Sequence, residues 1–421
     1  MSIYFSFKNT VLWIAVVAVG LLSCDNLGRF IPRQHTELIK KPIDQDAEIV
    51  VAANRTEAYL PLLRNQKIGV VANHTSVIFK PQVEQQNKLA YTHLVDSLLA
   101  HNMNITKVFA PEHGFRGSAD AGEKVKDGKD PKTGLPIISL YGNNRKPSPE
   151  QLAGLDLILF DIQDVGVRFY TYIATLQLVM EACAEANIPI IVLDRPNPNG
   201  HYVDGPSMLE AHTSFLGMNE IPLVYGMTIG EYAQMVNGEG WLATDKPVSL
   251  TVIPLANYSH TSAYTLPIRP SPNLPNAKAI NLYPSLGLFE GTHVNAGRGT
   301  EYQFQRYGAS FLDSAAYTFQ YTPKPNFGAK YPKQEGKLCF GKDLSNHPDL
   351  AMVSLEWLME AYANCTDKTQ FFKTDGFTKH AGTPKLQQQI EAGLPKDSII
   401  ATWQPEITAF RKIRKRYLIY D

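Results

Sequence analysis

Short apolar runs rich in β-branched residues alternate with stretches of helical periodicity between residues 67 and 255. This alternation is typical of βαβ units, and runs that are apolar throughout suit parallel strands covered on both faces. The predicted strands are 68–72, 105–109, 155–160 and 188–193, with weaker ones at 223–225 and 248–253. The predicted helices are 93–100, 171–186 and 228–236, the last opening on a capping box of Thr228 and Glu231. The pattern therefore predicts an α/β fold around a mostly parallel sheet.

The charge balance and the cysteine content exclude several classes of protein. The 421 residues include 40 Lys and Arg against 40 Asp and Glu, and 44% are apolar, so we expect a globular protein that does not bind nucleic acid. Four widely separated cysteines are too few for a disulfide scaffold. No G-x-G-x-x-G follows the first predicted strand, so a dinucleotide site is not supported, and no cofactor is expected.

The first residues carry the features of an export signal. One Lys precedes an apolar run at residues 11–22, which is too short for a membrane span of about 20 residues and suits a signal-peptide core of about 7 to 15. The run ends in Leu-Leu-Ser-Cys, which resembles a bacterial lipobox. We expect a lipoprotein signal peptide at 1–23, a lipid on Cys24, a polar tether at 24–48, and a cell envelope lipoprotein in the periplasm or on the outer membrane of a bacterium. Ordinary secretion with a chance cysteine is the alternative.

Four prolines in the segment LPIRPSPNLPN, residues 266–276, exclude a regular helix or strand there. We place a domain boundary at this segment, which gives a domain at 49–265 and a smaller C-terminal domain at 266–421. We expect the smaller domain to close a ligand cleft at the edge of the sheet. Beyond the boundary we expect a helix near 353–363, followed by a stretch rich in Lys and Gln near 385–391. The basic run at 411–416 alternates with apolar residues, so we interpret it as the solvated face of a closing helix rather than a membrane or nucleic-acid segment.

Polar side chains follow the predicted strands where each strand ends. In an open parallel sheet these ends form one edge, and ligands bind in the crevice along it. The candidates after the four main strands are Asn73 and His74; Glu112, His113 and Arg116; Asp161, Asp164, Arg168 and Tyr170; and Asp194, Arg195 and Asn197. A glycine-rich segment beyond the boundary adds Glu290, His293 and Arg298. Structural roles are the alternative, such as a helix cap for Asp164 or an ordinary ion pair of Asp194 with Arg195.

Several carboxylates beside a histidine suit the cleavage of a glycosidic bond. One carboxylic acid protonates the leaving oxygen, and a second group handles the oxocarbenium-like centre. Other hydrolytic chemistries lack their motifs, because neither G-x-S-x-G nor H-E-x-x-H occurs and no Cys/His set has zinc spacing. No metal site is predicted, although a divalent ion on Asp161, Asp164 and His113 is an alternative.

The same segments carry a resemblance to a known family. They are APEHGFRG, GLPIISLYG, DIQDVGVRFYTYI, VLDRPNPNG, PLVYGMTIGEYA, SPNLPN and YPSLGLFEGTHVNAGRGT, with FRKIRKRYLIY near the C-terminus. Together they resemble the bacterial exo-β-N-acetylmuramidases of the NamZ type, formerly a family of unknown function. The resemblance implies a Rossmann-like, doubly wound larger domain, a smaller α+β C-terminal domain, and a cleft that releases terminal N-acetylmuramic acid from the non-reducing ends of peptidoglycan fragments. Glu301, Tyr302 and Gln303 depart from the Asp and Pro that relatives often carry there.

The resemblance also implies a catalytic carboxylate in the cleft. Among the carboxylates in the matching segments, Glu112 is the first candidate for this role, and Glu290 or Asp164 is the second. We expect Glu112 to be the general acid, with His113 and Arg116 orienting it or the sugar. Asp164 or Glu290 would act as the nucleophile or base, or the acetamido group of the substrate itself would attack the anomeric carbon.

Guanidinium groups suit the lactyl carboxylate that distinguishes muramic acid, so Arg168, Arg195 or Arg298 would pair with it. The expected partners are muramyl-terminated peptidoglycan fragments and, through the lipid anchor, a membrane. Two other functions stay open at this point, a non-catalytic cell-wall glycan-binding lipoprotein and a metal-dependent peptidoglycan hydrolase.

Overall fold

The computed structural model describes residues 48–80, 90–116 and 127–421. The predicted signal peptide, the lipidation site at Cys24 and nearly all of the predicted tether lie outside the described residues. Residues 48–421 belong to a single structural unit, and the predicted boundary between residues 265 and 266 stays a prediction. In the described ranges, no helix combines the length and the apolar character needed to cross a bilayer.

A seven-stranded sheet lies at the centre of the molecule. In chain order the described strands are β1 (Ile68–Ala72), β2 (Val77–Phe79), β3 (Tyr91–His93), β4 (Ile105–Ala110), β5 (Gly128–Lys129), β6 (Pro136–Ser139), β7 (Leu157–Asp161), β8 (Ile190–Leu193), β9 (Leu250–Ile253), β10 (Arg306–Ala309), β11 (Phe319–Tyr321) and β12 (Cys339–Asp343). The order in the sheet is β5–β6–β4–β1–β7–β8–β9, and every pairing except β5 with β6 is parallel. The prediction of a mostly parallel α/β sheet is confirmed.

Helices cover both faces of this sheet. They are α1 (Thr56–Leu63), α2 (Leu94–Ala100), α3 (Pro149–Leu152), α4 (Tyr172–Ala186), α5 (Ile229–Gly238), α6 (Ala277–Leu286), α7 (Glu356–Ala363), α8 (Thr374–Ala381), α9 (Lys385–Glu391), α10 (Lys396–Ala401) and α11 (Gln404–Arg414). Successive residues of a strand face opposite sides, so Val70 packs in a core with α1 and α2 while Val71 packs in a core with α4 and α5. The α/β layers are therefore doubly wound.

Strand β1 has β4 on one side and β7 on the other. The chain builds one half of the sheet outward from β1 and then returns to build the other half from β7. The connection that follows β1 leads to β4 on one side and the connection that follows β7 leads to β8 on the other, so a crevice opens between the carboxyl ends of β1 and β7. The fold thus places a ligand site next to the polar segments that follow β7 and β4, the two neighbours of β1.

Two local predictions near the sheet have opposite outcomes. The capping box of α5 is confirmed, because the Glu231 amide donates to the Thr228 hydroxyl at 3.2 Å and the Thr228 amide donates to the Glu231 carboxylate at 2.9 Å. The strand predicted at 223–225 is wrong, since Val224 forms only isolated bridges with Val167 and Asp204. These bridges hold a loop across the sheet edge and do not extend the sheet.

The C-terminal part contains a small antiparallel sheet in the order β10–β12–β11 and the helices from α6 onward. The proline-rich segment at 266–276 contains no regular helix or strand, as predicted, and Asn276 caps α6 immediately after it. The basic run lies at the end of α11 and beyond, where Arg411 and Lys412 are exposed and Arg414 donates to the Gly226 carbonyl at 2.8 Å. The prediction of a closing helix is confirmed.

Candidate active site

A cavity of about 360 Å³ lies beyond the carboxyl ends of β4, β6 and β7. Its walls come from the segments after these strands and from α6, α8 and the loops around them. The ionisable side chains that line it are Glu112, His113, Arg145, Glu290, Arg298, Lys379 and His380. The aromatic side chains that line it are Tyr141, Phe169, Tyr170, Phe215, Tyr283 and Phe304. Such a mixture of flat apolar faces and convergent charges suits a sugar acid.

Glu112 is held by hydroxyl groups from two different loops. The Tyr141 hydroxyl donates to its Oε1 at 3.2 Å, and the Thr171 hydroxyl donates to its Oε2 at 3.2 Å. Thr171 immediately precedes α4 but does not cap that helix with its side chain, so its hydroxyl serves Glu112 instead. The Tyr172 hydroxyl donates to the Glu112 backbone carbonyl at 3.4 Å. These bonds fix the carboxyl group on the cavity wall.

The residues after Glu112 form a sharp turn. His113 has a φ of 68° and Gly114 has a φ of 75°, so two successive residues adopt the left-handed conformation. Glycine adopts this conformation at no steric cost, but histidine does so only with strain, of order 1–3 kcal/mol. The His113 side chain is 4% exposed and lines the cavity. The turn thereby brings two adjacent ionisable side chains to the same wall.

Glu290 lies among cations on the wall formed by C-terminal segments. Its Oε1 is 3.3 Å from Arg298 Nε, and the Lys333 ammonium donates to the carbonyls of Phe289 and Glu290 at 2.8 and 3.0 Å. Burial opposes ionisation of Glu290, but the charges of Arg298, Lys333 and their neighbours outweigh it and lower its pKa to about 2. Glu290 is therefore a carboxylate throughout the physiological pH range.

Three of the aromatic rings pack edge to face in one wall. Tyr283 contacts Phe169 with ring centroids 5.2 Å apart and Phe304 with ring centroids 4.7 Å apart. The Arg298 guanidinium lies over Phe304 at 5.4 Å, and the Tyr170 hydroxyl donates to the Pro270 carbonyl at 2.7 Å. The wall is rigid because each ring is fixed by a neighbour.

Two cations of the cavity have no acidic partner in the part of the chain that the structure describes. The Arg145 guanidinium lies over the Phe215 ring at 4.3 Å, and Lys379 forms no ion pair with a described residue. Arg298, in contrast, is already paired with Glu290. The cavity therefore presents positive charge that an anionic group of a ligand would balance.

Five of the predicted site residues line the cavity. They are Glu112, His113, Tyr170, Glu290 and Arg298. The predicted residues that do not line it are Asn73, His74, Arg116, Asp161, Asp164, Arg168, Asp194, Arg195, Asn197 and His293. The structure therefore brings together predicted residues from the segments after β4 and β7 and from the segment after α6.

Most of the other predicted residues hold the surrounding loops in place. Arg195 donates to both oxygens of Asp161 at 2.6 and 2.8 Å, and both side chains are fully buried. Asp194 accepts from the Thr228 hydroxyl at 2.7 Å and from the Tyr420 hydroxyl at 2.6 Å, which ties β8 to α5 and to the chain terminus. The ion pair that forms here is thus Asp161 with Arg195, and not Asp194 with Arg195.

Arg168 is buried without a carboxylate partner among the described residues. Its guanidinium donates to the carbonyls of Pro206 and Ile221 at 2.8 Å each and to the His380 carbonyl at 3.0 Å. These three carbonyls belong to three separate segments, one of which lines the cavity at His380. Arg168 therefore supports the cavity wall from behind, a position from which it does not reach a bound carboxylate.

Asp164 is 3% exposed and lies outside the cavity lining. It accepts from the Gly166 amide at 2.7 Å and from the Tyr225 hydroxyl, while its Oδ1 has no partner among the described residues. Burial raises its pKa to about 6, against the effect of these two hydrogen bonds. Within the described ranges no group of three His, Cys, Asp or Glu side chains converges as metal ligands would.

The remaining five predicted residues also have structural partners. Arg116 forms ion pairs with Asp96 at 3.0 Å and with Asp130 at 2.7 Å. The Asn73 side chain accepts from the Thr75 amide at 2.8 Å, and the Asn197 side chain donates to the Met227 carbonyl at 2.8 Å. The His293 amide donates to the Phe371 carbonyl at 3.0 Å. Each of these bonds fixes a loop outside the cavity. His74 donates to the Arg269 carbonyl at 2.9 Å.

The polar and charged lining residues that sequence reasoning missed include Arg145, Asn273, Lys379 and His380. Arg145 follows β6, a strand whose short and partly exposed run gave no clear pattern. Lys379 and His380 lie on α8, far along the chain from the glycine-rich segment. Asn273 could have been predicted from the sequence, because it belongs to the segment SPNLPN that carries the family resemblance.

Comparisons with known proteins agree with this geometry. The chain matches the family models "Exo-beta-N-acetylmuramidase NamZ, N-terminal" at residues 68–278 and "Exo-beta-N-acetylmuramidase NamZ, C-terminal" at residues 281–420. It is 36% identical over 384 residues to the Bacillus subtilis peptidoglycan beta-N-acetylmuramidase NamZ, covering 86% of this chain and 89% of that protein.

Two crystal structures of DUF1343 family proteins from Bacteroides fragilis are similar to this fold. One is 44% identical with a TM-score of 0.79, and the other is 27% identical with a TM-score of 0.73. Each comparison covers 89% of this chain and 99% of the other. The family models span both the parallel sheet and the C-terminal segments that together enclose the cavity. The chain belongs to the NamZ family of exo-β-N-acetylmuramidases.

Proposed function

We propose that this protein is an exo-acting glycoside hydrolase that releases terminal N-acetylmuramic acid from the non-reducing ends of peptidoglycan fragments. The observation that carries the proposal is the cavity itself, where a carboxyl group held by two hydroxyls shares a space of about 360 Å³ with aromatic rings and with cations that have no acidic partner among the described residues. The Bacillus subtilis relative is a peptidoglycan beta-N-acetylmuramidase, which supports the proposal. A single sugar acid is the class of ligand that uses all three features.

Glu112 is the proton donor in this proposal. Its carboxyl proton passes to the bridging oxygen as the bond from that oxygen to the anomeric carbon breaks, and the sugar develops oxocarbenium character. The Tyr141 and Thr171 hydroxyls keep the carboxyl group in place before and after transfer. A second group must stabilise or attack the anomeric carbon. Asp164 lies outside the lining, so this group is Glu290 or the substrate's acetamido group.

Arg145 and Lys379 bind the lactyl carboxylate of the muramic acid in this proposal. Both line the cavity, and neither has an acidic partner among the described residues. Arg168 and Arg195 lie outside the lining with their guanidinium groups bonded elsewhere, and Arg298 is paired with Glu290. The carboxylate would complete the charge balance of the cavity.

The proposed envelope location rests on the sequence alone. The lipobox-like Leu-Leu-Ser-Cys ends the apolar run at residues 11–22, so Cys24 would carry the lipid and anchor the enzyme in the bacterial cell envelope. The polar stretch that follows would keep the catalytic part away from the bilayer.

Replacing the proposed acid tests the mechanism. We expect Glu112→Gln to lower kcat on a muramyl-terminated disaccharide by about 10²–10⁴-fold, because a general acid contributes that much. The loss should be much smaller on an aryl muramide, whose leaving group needs little protonation. Product release measured by chromatography gives both rates. Glu301→Gln, at an exposed position, is the matched control. Near wild-type turnover of a folded Glu112→Gln would exclude this assignment.

Replacing the unpaired cations tests the recognition of the carboxylate. We expect Arg145→Met and Lys379→Met each to lower kcat/KM about tenfold, since a hydrogen bond to a charged group is worth about 1.5–3 kcal/mol. The effect should disappear on a substrate whose lactyl carboxylate is converted to an amide. Lys146→Met is the control, because Lys146 pairs with Glu185 at 2.7 Å. Equal losses on both substrates would contradict the proposed pairing.

The low pKa of Glu290 predicts a pH-dependent stability. The native state holds the ionised form, so ionised Glu290 stabilises the fold above its unfolded pKa near 4.5, and this contribution is lost as the pH falls toward about 2. Urea unfolding should show Glu290→Gln less stable than wild type at pH 7, with the difference shrinking below pH 4.5. A difference that stays constant from pH 7 to pH 3 would show that the ion pair does not stabilise the fold.

Metabolic labelling tests the anchor. In a bacterial host, the wild-type chain should incorporate a labelled fatty acid and fractionate with membranes. Cys24→Ser should lose both properties, because the thiol that receives the lipid is absent. Cys183→Ser, at a buried core position, serves as the control. Unlabelled wild-type protein in the soluble fraction would favour ordinary secretion.

A further inference from the structure

We infer that Arg269 and Phe327 form a second sugar-binding site at the edge of the cavity, where a muramyl residue farther along the departing glycan chain binds. We call these two residues the rim patch. The inference rests on the proposed function, which places the terminal sugar in the cavity. It adds that the enzyme distinguishes longer peptidoglycan fragments from disaccharides.

The rim patch exposes aromatic surface on a loop that is held in place. Phe327 is 51% exposed. The loop closes through paired backbone hydrogen bonds of 3.1 Å between Asn326 and Ala329, and the Asn326 side chain donates to the Thr300 carbonyl at 3.0 Å. Large apolar side chains presented on an anchored loop are typical of a recognition surface.

Short hydrogen-bonded links connect the rim patch to the cavity. Asn273, which lines the cavity, donates to the Gly328 carbonyl at 2.7 Å. Arg269 lies over the Phe327 ring at 5.2 Å and stands two residues before Ser271, another lining residue. The segment from Arg269 to Asn273 therefore leads directly from the patch to the cavity wall.

The same segment is fixed from beneath. His74 Nε2 donates to the Arg269 carbonyl at 2.9 Å, and the Tyr170 hydroxyl donates to the Pro270 carbonyl at 2.7 Å. Burial lowers the pKa of His74, so the neutral ring with its proton on Nε2 is favoured. A predicted site residue outside the cavity lining, His74, thus positions the backbone of the patch.

The chemistry of the patch matches a sugar acid. Aromatic rings stack on the apolar face of a pyranose, and a guanidinium binds a carboxylate through two parallel hydrogen bonds. Arg269 is exposed and has no acidic partner among the residues described. In a peptidoglycan chain from which the stem peptides have been removed, a lactyl carboxylate recurs on every second sugar. With the terminal muramic acid in the cavity, the next carboxylate is on the third sugar, which we assign to the rim patch.

The test compares two peptide-free substrates, the muramyl-terminated disaccharide and the corresponding tetrasaccharide. Wild-type kcat/KM should be higher on the tetrasaccharide. Phe327→Ala and Arg269→Met should each lower the tetrasaccharide-to-disaccharide ratio about fivefold, since a ring contact is worth about 0.5–1.5 kcal/mol. Tyr91→Ala should leave the ratio unchanged, because Tyr91 is 50% exposed on β3, in the separate β2–β3 ribbon.

Dissociation constants measured with the Glu112→Gln change present give the corresponding ratio of tetrasaccharide to disaccharide affinity without turnover. If wild type releases no muramic acid but the affinity ratio falls in the Phe327 and Arg269 variants, the proposed function fails and the second site stands. If hydrolysis occurs and neither variant changes the ratio, the second site is excluded. A change confined to a tetrasaccharide that carries stem peptides would assign the patch to the peptide and overturn the inference.

Discussion

The ion pair between Asp161 and Arg195 is the interaction on which the site's framework depends. It joins the end of β7 to the end of β8 through two hydrogen bonds of 2.6 and 2.8 Å, and Arg195 also donates to the Val77 carbonyl at 3.1 Å. Removing one partner of such a pair leaves a buried charge unbalanced, at a cost of about 3–5 kcal/mol. The pair therefore fixes the positions of the loops that leave the sheet here. As a result, the segment from β7 to α4 places the Thr171 hydroxyl within hydrogen-bond distance of Glu112.

The division of labour in the cavity follows from the environments of its two carboxyl groups. Glu290 is surrounded by Arg298, Lys333 and other cations that keep it ionised, so it is a poor proton donor. Glu112 accepts hydrogen bonds from the hydroxyl groups of Tyr141 and Thr171 on another wall. In the proposed mechanism the two carboxyl groups therefore have different tasks, a common arrangement in glycosidases.

Much of the fold was predictable, because parallel strands buried on both faces leave continuous apolar runs such as 157–160 and 190–193. The position of Glu112 and Glu290 in the cavity lining was predictable as well, since Glu112 follows a strand end and Glu290 lies in a glycine-rich segment. Arg168 and Arg195 were placed at the correct edge, but a sequence does not show which carbonyls or carboxylates a guanidinium meets. Lys379 approaches from a helix remote in the chain, which no local pattern reveals.

The two walls of the cavity come from different parts of the chain. The proposed proton donor and its hydroxyl partners follow strands of the parallel sheet, whereas Arg298, Phe304 and Lys379 are supplied by C-terminal segments. In the proposed mechanism both parts contribute to chemistry and to recognition, because Glu112 and Arg145 follow strands of the sheet while Glu290 and Lys379 come from C-terminal segments. A substitution in either stretch would then affect turnover and the choice of cell-wall fragment together, so the two stretches of the gene are expected to change in concert.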